Sequence, residues 1–329
     1  MATYYGTYGQ KVQYLASDPS DPQTGQVWYN STSAVLKVRQ SVATNSWATG
    51  GTMSTARGFL AGAGIQTASI AMGGQPSSPT NLAESYNGTS WTSAGTMPAS
   101  RSSNAGAGTN TAALAIGGFG PPGSNDVYAY NGSSWTSAPS LTRSPAQYGL
   151  AGTGLQTAAL AVGGFSSPPS TFHTSSESYN GSSWTSITNY PISVRAAAGC
   201  GTQTAALFFG GQSPSDVATT NSWNGSSWTS GGNMNTGRGY LSGFGIQTGA
   251  IAAGGNVAGN YNINNVESYN GTSWTATTTL STGRGGIASG NGSPQTVGVV
   301  FAGYTGTAQS GATEEWTGTQ TLSRTVTVS

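Results

Sequence analysis

The sequence predicts an all-β chain arranged as a six-bladed β-propeller with a small N-terminal hairpin, and three observations carry that reading. One phrase, Asn-Gly-(Ser/Thr)-Ser-Trp-Thr, recurs from Asn87, Asn131, Asn180, Asn224 and Asn270. Its tryptophans, with Trp47 ahead of them, are spaced by 44, 44, 49, 44 and 46 residues. No stretch holds a helical period, and each repeat has room for four short strands. A unit of that size cannot bury both its faces alone, which points to blades packed around an axis.

In chain order, residues 1–40 come first. Asp18-Pro19 and Asp21-Pro22 mark turns, and Gly25 to Asn30 and Ala34 to Val38 then read as a small hairpin. A lone apolar hairpin with Lys11 and Lys37 nearby is marginal, so it is expected to dock on the propeller or on a partner subunit. Residues 41–329 form the predicted propeller. About ten residues after each tryptophan stands an arginine: Arg57, Arg101, Arg143, Arg195, Arg238 and Arg284. A first strand follows it, and a second, Ala-rich strand ends in a glycine pair, from Gly73-Gly74 to Gly254-Gly255, with Ala302-Gly303 as the sixth. The third strand carries Glu-Ser-Tyr or a variant of it. An Asn-Gly turn, whose two residues tolerate positive φ, joins it to the Trp-bearing fourth strand.

Small residues suit crowded strands near an axis, and the outer Tyr and Trp are sized to fill the space between blades. The last repeat, from Arg284 to Gly318, lacks a fourth-strand tryptophan, whereas Trp47 has no blade before it. The N-terminal strand around Trp47 is therefore expected to complete the last blade, with residues 321–328 as the alternative.

Composition narrows the function classes. Of 329 residues only 6% are charged and the net charge is +1, so no field favours nucleic acid or an anionic membrane. Nine Trp and fifteen Tyr argue against disorder despite 51 Gly. Cys200 is the lone cysteine, in an apolar Ala-rich stretch, and reads as a buried filler. Residues 1–14 lack the basic start and apolar core of a secretory signal. Apolar runs such as Ala112 to Ile116 fall far short of the ~20 residues of a membrane helix. A soluble chain without membrane insertion is expected.

A glycine pair followed by a spaced Tyr and Trp resembles the kelch repeat, over about residues 47–321. The chain departs from that pattern in placing Tyr86 and Trp91 only five apart. The phrase Ser85 to Trp91 is also similar to the Asp-box turn of sialidases, with Asn in the acidic position, as shared turn chemistry. The stretch Gly25 to Val38 (GQVWYN…VLKV) looks like segments of bacteriophage tail-fibre and other virion proteins. The YNG(S/T)SWT repeats resemble propellers of phage structural proteins. These resemblances imply a non-enzymatic virion structural protein: a tail-fibre, tail-associated or capsid-decorating propeller. It would be made in the host cytoplasm and contact other virion subunits or a second copy through residues 1–40. The alternatives are a carbohydrate-binding lectin or adhesin, or a secreted glycosylated filament or surface protein. The last rests on Asn-x-Ser/Thr sequons at Asn30, Asn87, Asn131, Asn180, Asn224, Asn270 and Asn291, most of which are also hairpin turns.

No catalytic, cofactor or metal residue is predicted. A kelch-class copper-radical oxidase needs two histidines at its metal, and His173 is the only one. A sialidase needs an arginine triad facing paired carboxylates; here the six arginines are read as equivalent, which predicts a structural role. Glu84, Glu177, Glu267 and Glu314 share one repeat position and are expected to pair with those arginines. Asp18, Asp21, Asp126, Asp216 and Glu315 show no metal-ligand spacing, and no glycosidase carboxylate pair is read among them. The loops between second and third strands vary and should emerge on one face, where binding surfaces are displayed. Phe119, Phe165, Phe172, His173, Tyr261 and Tyr304 are the candidate contacts there, suited to sugar rings or to packing between loops.

Overall fold

The computed structural model describes residues 12–42, 44–120, 125–258 and 262–326. The described residues contain no helix. The chain divides into two compact units, residues 46–316 and a smaller one made from residues 1–45 with 317–329.

The larger unit is propeller-like, a series of small four-stranded antiparallel sheets. In the first, Ala61–Ile65, Ala68–Met72, Thr80–Tyr86 and Trp91–Arg101 pair in chain order. The same order recurs through sheets that begin with the strands Ala105–Gly108, Ala151–Leu155, Ala198–Thr202 and Ser242–Ile246. The last sheet joins Ala288–Ser289, Val297–Phe301 and Thr313–Thr317 to Ser46–Thr49, so the strand around Trp47 takes the fourth position.

Local chemistry explains each sheet. In the five sheets with an Asn-Gly turn between third and fourth strands, the Asn side chain accepts from the backbone N–H groups two and three residues on; Asn180 Oδ1 accepts from Ser182 at 2.9 Å and Ser183 at 2.8 Å. Gly181 follows at φ +90°, which a side chain would resist. That turn sets Tyr opposite Trp across the strand pair, as in Tyr179 and Trp184 with ring centroids 4.9 Å apart. Trp47 and Trp316 make the corresponding contact at 5.1 Å in the last sheet.

Neighbouring sheets bury their faces against each other. Ala61, Ala63, Ile70 and Met72 pack with Ala113, Ala115, Tyr128 and Tyr130. Tyr86 and Trp91 of the first sheet pack with Val299 and Phe301 of the last. Innermost strands approach so closely that a Cβ at Gly106 would lie 2.3 Å from the carbonyl oxygen of Gly62. Ahead of each innermost strand a residue in the left-handed region donates its N–H to its counterpart one sheet back. Ser103 donates to Phe59, Gly149 to Ser103, Ala196 to Gly149, Tyr240 to Ala196 and Gly286 to Tyr240, all at 2.7 to 2.9 Å. Phe59 in turn donates to Gly286 at 2.8 Å. Five glutamines of the first hairpins stitch outer strands together; Gln203 Nε2, for example, donates to the Tyr179 carbonyl of the preceding sheet. Gln66 does the same to Trp316 at 3.0 Å.

In the smaller unit the predicted hairpin pairs Val27 with Val38 and Asn30 with Val35. It belongs to a four-stranded sheet: Gln13–Leu15 adds in parallel on one side, and Gln320–Val326 adds antiparallel along Val35–Val42 on the other. The C-terminal strand thus covers an edge that an isolated hairpin would leave bare. Asp18 gathers this unit's polar groups, accepting from Trp28 Nε1 at 3.0 Å, Asn30 Nδ2 at 2.7 Å and Lys37 Nζ at 2.6 Å.

Candidate binding cavity

The carboxylates of the larger unit are consumed mainly by the frame. Arg57 pairs with Glu84, Arg143 with Glu177 at 2.7 Å, Arg238 with Glu267 at 2.5 Å and Arg284 with Glu314 at 2.5 Å, all buried. Each arginine also donates to backbone carbonyls, as Arg143 does to Gly163 and Ala161. Burial lowers the pKa of these guanidinium groups while the paired glutamates oppose that shift. Arg101 replaces the glutamate with Asp126 at 2.8 Å. Glu315 accepts from the Tyr86 hydroxyl at 2.6 Å. Among the described residues no group of three or more His, Cys, Asp or Glu side chains is arranged to hold a metal ion.

Arg195 breaks the pairing, and the expected equivalence of the six arginines is a misreading of register. Arg143 lies ahead of the place that Arg57, Arg101, Arg238 and Arg284 take, with Gln147 before the bridging Tyr148, yet it still reaches Glu177. Arg195 lies one residue past that place. The second glycine of a pair donates its N–H to the arginine carbonyl of the next sheet, as Gly74 does to Arg101, Gly211 to Arg238, Gly255 to Arg284 and Gly303 to Arg57. Gly164 donates instead to Val194, which is buried in the place an arginine takes elsewhere. The glutamate position of this sheet holds Asn221, whose Nδ2 donates to the hydroxyl of buried Tyr190 at 3.0 Å. A neutral Tyr–Asn pair thus fills the space of a buried ion pair, a substitution with no net desolvation of charge. Arg195, one residue on, is left out of the frame. It bridges to Gln212, the position matched by Gly58, Ser102, Tyr148, Gly239 and Gly285 in the other sheets.

There it meets the second-to-third-strand loops. Its guanidinium lies over the Phe165 ring at 4.6 Å and the Phe172 ring at 5.3 Å, and its Nε donates to Gln212 Oε1 at 3.2 Å. Gln212 Nε2 donates onward to Asp216 Oδ1 at 3.0 Å. Beside this chain opens a cavity of about 600 Å³, lined among others by Gln75, Asn256, Tyr304 and Gln309 over a floor of Phe59 and Tyr240. Phe59 and Tyr240 meet edge-to-face at 5.2 Å, and burial raises the Tyr240 pKa. The same two rings also line a second space of about 110 Å³ bordered by alanines, glycines and Asn291. Asn291 Nδ2 reaches across that space to the Gly106 carbonyl at 3.1 Å.

The cavity is lopsided for a sequence reason. Where Gly58, Gly239 and Gly285 stand, the amides of the facing loops lie back over the backbone. A Cβ on Gly285 would fall 1.6 Å from Asn256 Oδ1, and one on Gly58 2.6 Å from Gln309 Oε1. On the other side Tyr148 fills the matching place and packs with Phe119 and Phe165 at 5.3 and 5.6 Å.

The sequence-derived contact residues distribute accordingly. Tyr304 lines the cavity, its hydroxyl donating to the Gly306 carbonyl at 2.7 Å. Phe165 and Phe172 carry Arg195, and Phe119 is half exposed on the aromatic side. His173 Nε2 pairs with Ser166 Oγ at 2.9 Å, and burial, with the charge of Arg143, lowers its pKa. Tyr261 lies outside the described residues. Sequence reasoning missed Arg195, Gln212 and Asp216 as a group, and the amides Gln75, Asn256 and Gln309. The available signal was that Val-Arg in this repeat stands where three others have Arg-Gly, and that Asn221 stands where four others have a glutamate.

No family model matches the sequence, and no curated protein matches it.

Proposed function

We propose that this chain is a non-enzymatic assembly and binding protein of bacteriophage virions: a six-bladed, kelch-like β-propeller in a tail fibre, a tail-associated position or a capsid decoration. The observation that carries the propeller part is the cyclic set of backbone hydrogen bonds, in which the sixth residue, Gly286, accepts from the first, Phe59. The Gln66–Trp316 bond and the Trp47 indole, which donates to the Thr278 carbonyl at 2.9 Å, support a closed ring in the same way. A rigid frame that consumes its own carboxylates in buried pairs and varies in the loops of one face is a scaffold for display rather than for acid–base chemistry. The attachment role falls to the unit formed by both chain ends, where Tyr14 and Val12 are exposed apolar residues beside a three-residue edge strand. The virion setting rests on the likeness of the 25–38 stretch and of the YNG(S/T)SWT repeats to phage structural proteins.

Electron microscopy and analytical ultracentrifugation of the purified chain test the reading. A homo-oligomer, or a six-fold modulated disc seated in a larger assembly, is expected. A stable monomer whose terminal unit packs only on itself counts against it. A second reading, a lectin or adhesin acting through the loop face, is favoured by the cavity beside Arg195.

A further inference from the structure

We propose that the cavity beside Arg195 is a saccharide site that takes a neutral pyranose, one per chain, with Arg195, Gln212 and Asp216 as its polar wall and the Phe59, Tyr240 and Tyr304 rings as its apolar one. The proposal rests on reading the second-to-third-strand loops as a binding face.

Charge selects the ligand class first. Arg195 and Asp216 are the two charged side chains lining the cavity, and they offset each other. Gln212 links them, taking Arg195 Nε on its oxygen and giving its nitrogen to Asp216 Oδ1. Among the described residues the two Arg195 Nη groups and the second Asp216 oxygen have no hydrogen-bond partner. Donors and an acceptor are therefore presented side by side. A phosphate or carboxylate would meet Arg195 but be repelled by Asp216, and a cation would be repelled by Arg195. Vicinal hydroxyls satisfy both, because each hydroxyl donates and accepts.

The amides select in the same direction. The side chains of Gln75, Asn256 and Gln309 stand on the wall of the cavity. A carboxamide carries both donors and an acceptor, which matches hydroxyl groups better than it matches an anion. The Gln75 side chain makes no hydrogen bond among the described residues. A volume of about 600 Å³ lies within the range of small-ligand pockets, ~300 to 1,000 Å³. Aromatic faces supply the surface on which the C–H face of a pyranose stacks.

The wall is also held in place before any ligand arrives. Arg195 is fixed by three aromatic rings, Phe165, Phe172 and Tyr240, and by Gln212, so little side-chain freedom remains to be lost on binding. Its position is a departure from the repeat, made available by the neutral Tyr190–Asn221 pair. A frame residue would have kept the arginine inside.

Saturation-transfer NMR on the full chain tests this with glucose, galactose, mannose, N-acetylglucosamine and glucuronate, each at millimolar concentration. Transfer to at least one neutral sugar is expected, with binding weakened tenfold or more in Arg195→Met and in Gln309→Ala. Gln309 stands on a different loop from Phe165, Phe172, Tyr240 and Gln212, which hold Arg195, so a folding defect in the first variant leaves the second informative. Transfer to none of the neutral sugars, transfer to glucuronate alone, or binding equal to wild type in both variants would overturn the proposal. A chain that assembles but binds no sugar refutes this site and leaves the assembly reading standing. A sugar-binding monomer does the reverse.

Discussion

Arg195 and Arg238 look interchangeable in the sequence, and the structure predicts that removing them has unequal consequences. Arg238 is fully buried and pairs with Glu267, whose oxygens also accept from Asn235 and Thr236. Arg238→Ala strands that carboxylate in the interior, a change worth about 3–5 kcal/mol. Arg195 is half-buried and gives up three ring contacts, to Phe165, Phe172 and Tyr240, and one hydrogen bond, together about 2 kcal/mol. For a unit spanning residues 46–316, an unfolding entropy of roughly 2 cal/mol/K per residue converts each kcal/mol into about 2 °C of Tm. Scanning calorimetry should therefore place Arg238→Ala about 6–9 °C below wild type and Arg195→Ala about 4 °C below it. Adding Glu267→Gln should recover much of the Arg238→Ala loss, because the neutral amide leaves no charge unpaired while its oxygen still accepts from Asn235 and Thr236. Equal Tm losses for the two arginine variants would refute the register argument and return Arg195 to the frame.

Three further outcomes are expected. Gln66→Ala and Gln203→Ala each free buried outer-strand carbonyls and should cost about 1–3 kcal/mol apiece in urea unfolding; no loss for Gln66 alone would show that the last and first sheets are not stitched like the others. Burial pushes the Cys200 thiol up to about 12, so a thiol reagent at pH 8 should label nothing in the native chain and one group after denaturation; labelling of the native chain would contradict the inner-strand placement. Hydrogen bonds from Lys37, Asn30 and Trp28 lower the Asp18 pKa from 3.8 to about 2. A depressed carboxylate stabilises the folded form above its unfolded pKa and loses that contribution as pH falls through the folded value. NMR titration should thus keep the Trp28 indole shift constant above pH 4 and move it near pH 2, whereas Lys37→Met should move that transition upward.

The repeat was legible because its chemistry is local. An Asn-Gly turn fixes the partner of the next strand within a few residues, and Tyr opposite Trp follows from the turn, so counting tryptophans counts sheets. The recurrent glutamates sit two residues before the third-strand aromatic, and they found arginines although the partners lie 27 to 34 residues back along the chain. The destination of the C-terminal strand was not legible. Gln320–Val326 pairs with Val35–Val42 at the far end of the chain, and an alternating strand carries no mark of which edge it will cover. The glutamines of the first hairpins were visible as a recurring Gln-Thr, at Gln66, Gln156, Gln203, Gln247 and Gln295, but their role depends on a carbonyl in the preceding sheet.

The site was hidden by the very regularity that revealed the fold. Spacing alone aligned Arg195 with the arginines that stay in the frame, because an offset of one residue is smaller than the variation in repeat length. What separates them is a pair of coordinated changes, Val194 at the buried place and Asn221 opposite it, which remove the need for an inner charge and release one at the surface. A repeat protein builds its frame by repeating each position and acquires a site where that repetition fails in two matched places at once. On this chain the failure falls in one sheet, and the loops facing Gly58, Gly239 and Gly285 leave the space beside it open.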